Sequence, residues 1–210
     1  LMILATTNNF VKTGPVGIDA TKNAVVDNFA TSTPFFTSTT LPFADTFFAG
    51  PMQGVWYSYE GGFAMAGGDI KGMAALNIMT LNSQSTLDAS LTAQIGTVPN
   101  AGLAGVIAPY NASTANLYWA GLVATQNSRT KVVTYTAQIR RRINGSWKTL
   151  YSKAVGTQLG TVRFDVTGST LKVSFNGAVL GTVTDTTISP AGAVGLLASK
   201  NSLLGGFEAI

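Results

Sequence analysis

The chain has 210 residues, of which 46% are hydrophobic and 10% charged, against roughly 25% charged in an ordinary soluble protein. It contains no Cys and no His, which excludes Ser–His and Cys–His nucleophilic chemistry, disulfides and any zinc site built from thiolate or imidazole. Thirteen basic residues against nine acidic ones leave a net charge of +4, too weak a field over this length to point to nucleic acid as a partner.

Residues 1–42 differ in composition from the rest: Asn8-Asn9, Gly14-Pro15 and the Thr/Ser/Pro-rich run Thr31–Pro42 mark a connector, or a segment that wraps the main domain and buries Phe35 and Phe36. The main domain is expected over residues 43–210. The opening Leu1-Met2-Ile3-Leu4-Ala5 is too short for a signal-peptide apolar region. A start at Leu suggests part of a larger, multidomain chain. No stretch approaches the roughly 20 apolar residues of a transmembrane helix, so no membrane span is expected.

Within the main domain the period is two. Leu87–Ile95 alternates apolar and polar residues without a break, as a strand with one wet face does. Leu103–Ala108 and Leu117–Ala124 are apolar on both faces and predict central strands covered on both sides. Thr130–Ile143 and Trp147–Lys153 flank Asn144-Gly145, a hairpin signal, because a type I′ turn needs positive φ at both central residues. Thr161–Val166 and Leu171–Phe175 form a second hairpin across Thr167–Thr170, and Asn176-Gly177 predicts a third turn. Val194–Ala198 is again apolar on both faces. About a dozen strands at this spacing predict an all-β, two-sheet antiparallel sandwich.

From Phe43 to Ile210 the sequence resembles the concanavalin A-like lectin/glucanase superfamily, nearest its laminin-G-like bacterial surface-protein branch. The residues that carry the resemblance are Asp45-Thr46-Phe47, Trp56 before Gly61-Gly62-Phe63, Ala101-Gly102-Leu103 and Asn116-Leu117-Tyr118-Trp119-Ala120. They continue with Phe164-x-Val166-x-Gly168-x-x-Leu171-x-Val173-x-Phe175-Asn176-Gly177, Gly192-x-Val194-Gly195-Leu196 and Gly206-Phe207-x-x-Ile210. The resemblance implies a jelly roll of two curved sheets, a concave face that often holds glycans, and in some members a structural calcium. Asp45 and Glu208 match the positions of its carboxylate ligands, although Gly205-Gly206 stands where relatives carry oxygen ligands. Relatives also often carry an Arg where this chain has Ala108-Pro109.

Glucanases of this superfamily carry acids spaced i, i+2, i+4 on one strand, which alternation places on one face. None of the nine carboxylates here is so spaced; a dyad from different strands, such as Asp88 with Asp165, is the remaining hydrolase arrangement. Sugar binding needs rings and planar donors. Gln138, Arg140 and Arg142 form a polar row on one strand face, and one of Tyr118 or Trp119 is expected beside it. Trp56 and Trp147 are expected to close the core near turns, and Arg141 to lie at the sheet rim. The expected function is non-catalytic binding of a glycan or polysaccharide, or adhesion, by an extracellular or cell-surface bacterial protein. A glucanase-type hydrolase and a structural spacer domain are the alternatives.

Overall fold

The structure, a computed structural model, describes residues 38–48 and 54–210. The expected connector or wrapping segment lies outside the described residues apart from residues 38–42, where Thr39 donates its hydroxyl to the Asn82 carbonyl at 2.9 Å.

Fifteen strands follow in chain order. The first eight are β1 (Phe43–Asp45), β2 (Trp56–Glu60), β3 (Phe63–Ala66), β4 (Asp69–Gly72), β5 (Asn77–Leu81), β6 (Ala89–Thr97), β7 (Leu103–Asn111) and β8 (Asn116–Gln126). The rest are β9 (Val133–Ile143), β10 (Ser146–Val155), β11 (Gly160–Thr167), β12 (Thr170–Phe175), β13 (Ala178–Thr184), β14 (Ala193–Ala198) and β15 (Leu203–Ala209). No helix occurs among the described residues, so none there is long and apolar enough to cross a membrane.

The strands pair into two antiparallel sheets. The back sheet runs β13-β12-β11-β6-β15-β4-β3, with β1 also on β15; the front sheet runs β10-β9-β8-β7-β14-β5-β2. The three runs that are apolar on both faces are β7, β8 and β14, adjacent strands at the centre of the front sheet. The expected turns form as their chemistry dictates. Asn144 and Gly145 have φ of 49° and 81°, and Asn176 and Gly177 have 49° and 79°, the pair of positive values a type I′ hairpin requires.

The core fills the space between the sheets by matching large side chains to small ones. The back sheet contributes Leu91, Phe164, Leu171 and Phe207, while Ala104, Ala120, Ala137 and Ala198 of the front sheet leave room for them. Tyr118 enters this core too. The fold is the all-β jelly-roll sandwich that the alternation predicts.

Candidate functional site

The register of β8 on β9 settles which side chains share a surface. Leu117 pairs with Arg142, Trp119 with Arg140 and Gly121 with Gln138, and paired residues project to one side of a sheet. That side is the outer face of the front sheet. Trp119, Gln138, Arg140 and Arg142 therefore come together, while Tyr118, one residue out of phase, points between the sheets and is buried. Of the two rings proposed for the polar row, the structure leaves Trp119 on it and removes Tyr118.

A chain of contacts runs along this row. The Arg140 guanidinium carbon lies 5.7 Å from the Trp119 ring centroid. Arg140 Nε donates to Gln138 Oε1 at 2.6 Å, and Gln138 Nε2 donates to Thr136 Oγ1 at 2.8 Å. Arg142 lies over Trp147 at 5.9 Å. Trp147 faces Arg142 across the Asn144-Gly145 hairpin and packs on the outer face, a correction to the expectation that it closes the core. Trp56 does close the core, against Phe43, Phe47 and Phe207.

Gly121 explains how the Trp119 ring lies. A Cβ there would stand 2.4 Å from Trp119 Cζ2, so the absent side chain lets the indole lie down along the sheet.

The outer face is concave. Arg142 Nη1 meets Glu60 Oε2 at 3.1 Å, although β5, β14, β7 and β8 stand between their strands. Five steps across a flat sheet would separate the backbones by about 24 Å, well beyond the combined reach of one Glu and one Arg side chain. The front sheet must curl so that its margins approach. A second bridge agrees: Tyr59 and Tyr110, from β2 and β7, have ring centroids 4.9 Å apart. A bulge in β2 between Ser58 and Glu60 turns both Tyr59 and Glu60 toward this face. Beneath these bridges Ile78, Ile107, Leu117, Trp119 and Leu197 form a buried apolar floor.

Burial, then the neighbouring Tyr59, push the Tyr110 hydroxyl up to about 12, against the pull of Arg142. It stays protonated, a donor. Burial lowers the Arg140 guanidinium from its ordinary value. No carboxylate pairs with Arg140 among the described residues. Trp119 Nε1 and Arg142 Nε are buried N–H groups with no acceptor. The face is rich in donors and poor in acceptors. Glu60 is the only carboxylate on the seven strands of the front sheet.

The candidate calcium ligands do not converge. Asp45 pairs with Phe207 and Ala44 with Glu208, so alternation turns the Asp45 carboxylate inward and that of Glu208 outward. Asp45 Oδ2 accepts from Trp56 Nε1 at 2.8 Å and Oδ1 from the Phe47 amide at 2.9 Å, which ties it to the core. No group of three His, Cys, Asp or Glu side chains able to hold a metal occurs among the described residues.

The two aspartates weighed as a dyad are occupied as well. Asp88 accepts from the Gly168 amide at 2.7 Å. Asp165 accepts from Ser90 and Arg163 and pairs with Lys172 at 3.0 Å. Burial works to raise the Asp165 carboxyl, but these partners together hold it below its ordinary range.

Tyr59, Tyr110 and Glu60 join the site without a signal in the sequence pointing to them, and Trp147 joins it against the expectation that it closes the core. Trp147 carried a usable signal, because it and Arg142 are equidistant from the Asn144-Gly145 turn. The bulge that turns Tyr59 and Glu60 has none.

No family model matches the chain, and no curated protein matches it. Solved structures do. The carbohydrate-binding module CBM66 from Bacillus subtilis superposes with a TM-score of 0.60 at 13% identity, over 73% of this chain and 95% of that one. The CBM2 module of the evolved Dit of Lactobacillus casei BL23 phage J-1 gives 0.54 at 11%, over 80% and 93%. The Bacillus licheniformis β-glucanase gives 0.53 at 13%, over 81% and 97%. At such identities the likeness is one of fold: a two-sheet jelly-roll sandwich, seen in carbohydrate-binding modules and in a β-glucanase alike.

Proposed function

We propose that this chain is a carbohydrate-binding module that holds a glycan on the concave outer face of its front sheet. The observation that carries the reading is the convergence on one curved face of the half-buried Trp147 with Arg140 and Arg142, resting on the buried Trp119 and Gln138. Sugar rings offer apolar C–H faces to indoles and hydroxyl edges to planar donors, and this surface supplies both. Trp147, Thr136 and Arg140, each half-buried, are its accessible margin, with Gln138 buried between the last two.

Binding is favoured over hydrolysis by the carboxylate count. Glycosidases of the two-carboxylate type need a pair about 5–9 Å apart, and Glu60 stands alone on this sheet, already paired with Arg142. An exported, cell-surface role within a longer chain is part of the same proposal. A glycan array probed with the 210-residue chain tests the reading. Binding that weakens at least tenfold in Trp147→Ala, with an unchanged melting profile, supports it. An array with no ligand, or binding indifferent to Trp147 and Gln138, sinks it.

A further inference from the structure

Resting on the binding reading above, we infer that the ligand is an acidic glycan whose sugar carboxylate is received by Arg140 and Arg142 beside Trp119. Donors on this face outnumber acceptors. Trp119 Nε1 and Arg142 Nε are buried without an acceptor, a condition that costs free energy and is uncommon in native structures. Arg140 commits its Nε to Gln138, and no carboxylate pairs with it among the described residues. Trp119 is fully buried, so the groups a ligand can reach are the two partly exposed guanidinium groups, against the one carboxylate of Glu60.

These donors are neighbours. Trp119 lies directly across from Arg140, and Arg142 diagonally from Trp119, through the β8–β9 register. What the cluster lacks is an anion with several acceptor sites. A neutral sugar hydroxyl brings a donor along with each acceptor, whereas a carboxylate brings acceptors only. Guanidinium and carboxylate also match as planar, two-toothed partners. Glu60 becomes the ligand's competitor, since it already occupies Arg142 from the opposite margin of the sheet.

The test compares the full 210-residue chain against polygalacturonate, its fully methyl-esterified form, alginate and dextran sulfate, by calorimetry at 0.15 M salt. Variants are Arg140→Gln, Glu60→Gln and Lys200→Gln, the last removing one exposed positive charge away from the face. The expected result is binding to one or both polyuronates and at least tenfold weaker binding to the ester. Arg140→Gln weakens polyuronate binding about tenfold or more, Glu60→Gln strengthens it several-fold, and Lys200→Gln leaves it unchanged. The opposite signs of the Arg140 and Glu60 effects separate recognition from misfolding.

Equal affinity for the ester, or equal losses in Arg140→Gln and Lys200→Gln, overturns the carboxylate assignment. Binding to dextran sulfate but to neither polyuronate overturns it as well. If the protein instead binds only neutral glycans, this inference fails and the binding reading stands. If it binds neither these polymers nor any glycan on the array, both fail.

Discussion

The Tyr118 hydroxyl donates to Asp185 Oδ1 at 2.6 Å, joining the inner face of the front sheet to the segment after β13, 67 residues along the chain. The same hydroxyl accepts from the Ile188 amide at 3.0 Å, and Arg141 at the sheet rim closes the group with a 2.6 Å ion pair to Asp185 Oδ2. Burial works to raise the Asp185 carboxyl, but the bonds from Tyr118, Thr187 and Arg141 together bring it down to about 2. A carboxyl depressed on folding stabilises above its unfolded value near 4, and that contribution fades as pH falls through 2. Asp185→Asn is therefore less stable than wild type at pH 7, and the gap narrows from pH 4 to pH 2. Urea melts across that range measure it; a gap independent of pH contradicts the assignment.

Asn77 is a fully satisfied polar hub at 0% exposure. Its Oδ1 accepts from the amides of Gly62, Met73 and Ala74 at 3.0, 3.1 and 2.8 Å, and its Nδ2 donates to the carbonyls of Ala74 and Ala198 at 2.8 and 2.9 Å. Asn77→Asp keeps the shape and the three acceptances but turns an anion on two carbonyls. A loss of about 2–4 kcal/mol in chemical denaturation at pH 7 is expected, with recovery as pH falls toward the unfolded carboxyl value near 4, because a carboxyl that folding disfavours as an anion takes up its proton above that value. A loss under 1 kcal/mol would argue that the loop rearranges.

Asp45 serves the core. Asp45→Ala strands the Trp56 indole N–H and the Phe47 amide, each costing about 1–3 kcal/mol when buried and unmet. Because both of its oxygens are engaged, neither calcium nor EDTA should move the wild-type melting temperature by way of Asp45 and Glu208. A rise on adding calcium that disappears in Glu208→Gln would restore the metal reading.

Gly121→Ala should disturb the candidate site directly. The new methyl would meet Trp119 Cζ2 at 2.4 Å and the Ala104 carbonyl at 2.2 Å. Two of the three nearest atoms are β7 backbone, so the strands must part as well as the indole lift toward water, at or above the ~1–3 kcal/mol of ordinary overpacking. Red-shifted tryptophan emission in the folded variant is the readout. Unchanged emission would mean that the ring rests elsewhere.

Much of this arrangement was legible from residue order because alternation is a strict rule. It identified the central strands β7, β8 and β14, placed Gln138, Arg140 and Arg142 in one row, and put Tyr118 and Trp119 on opposite faces. Alternation could not say which of those two rings joined the row. That depended on which side of the front sheet meets the back sheet, a matter of long-range packing. Tyr59 and Glu60 escaped because a bulge breaks the period locally, so that consecutive residues face the same way. Asp185 escaped because a residue outside the strands has no periodicity to read. Asp45 and Glu208 lie on opposite faces for a simpler reason: adjacent strands place them one register step apart, and one step changes the face.

The Glu60–Arg142 contact has a mechanical side. It is a tie between opposite margins of one sheet, made above the hollow and not within the core. With Glu60 part-exposed, the tie contributes at most about 1 kcal/mol, so it follows a curvature that packing sets. Cutting it with Arg142→Met or Glu60→Gln should leave the dimensions seen by solution scattering unchanged, with the hollow still open to a ligand.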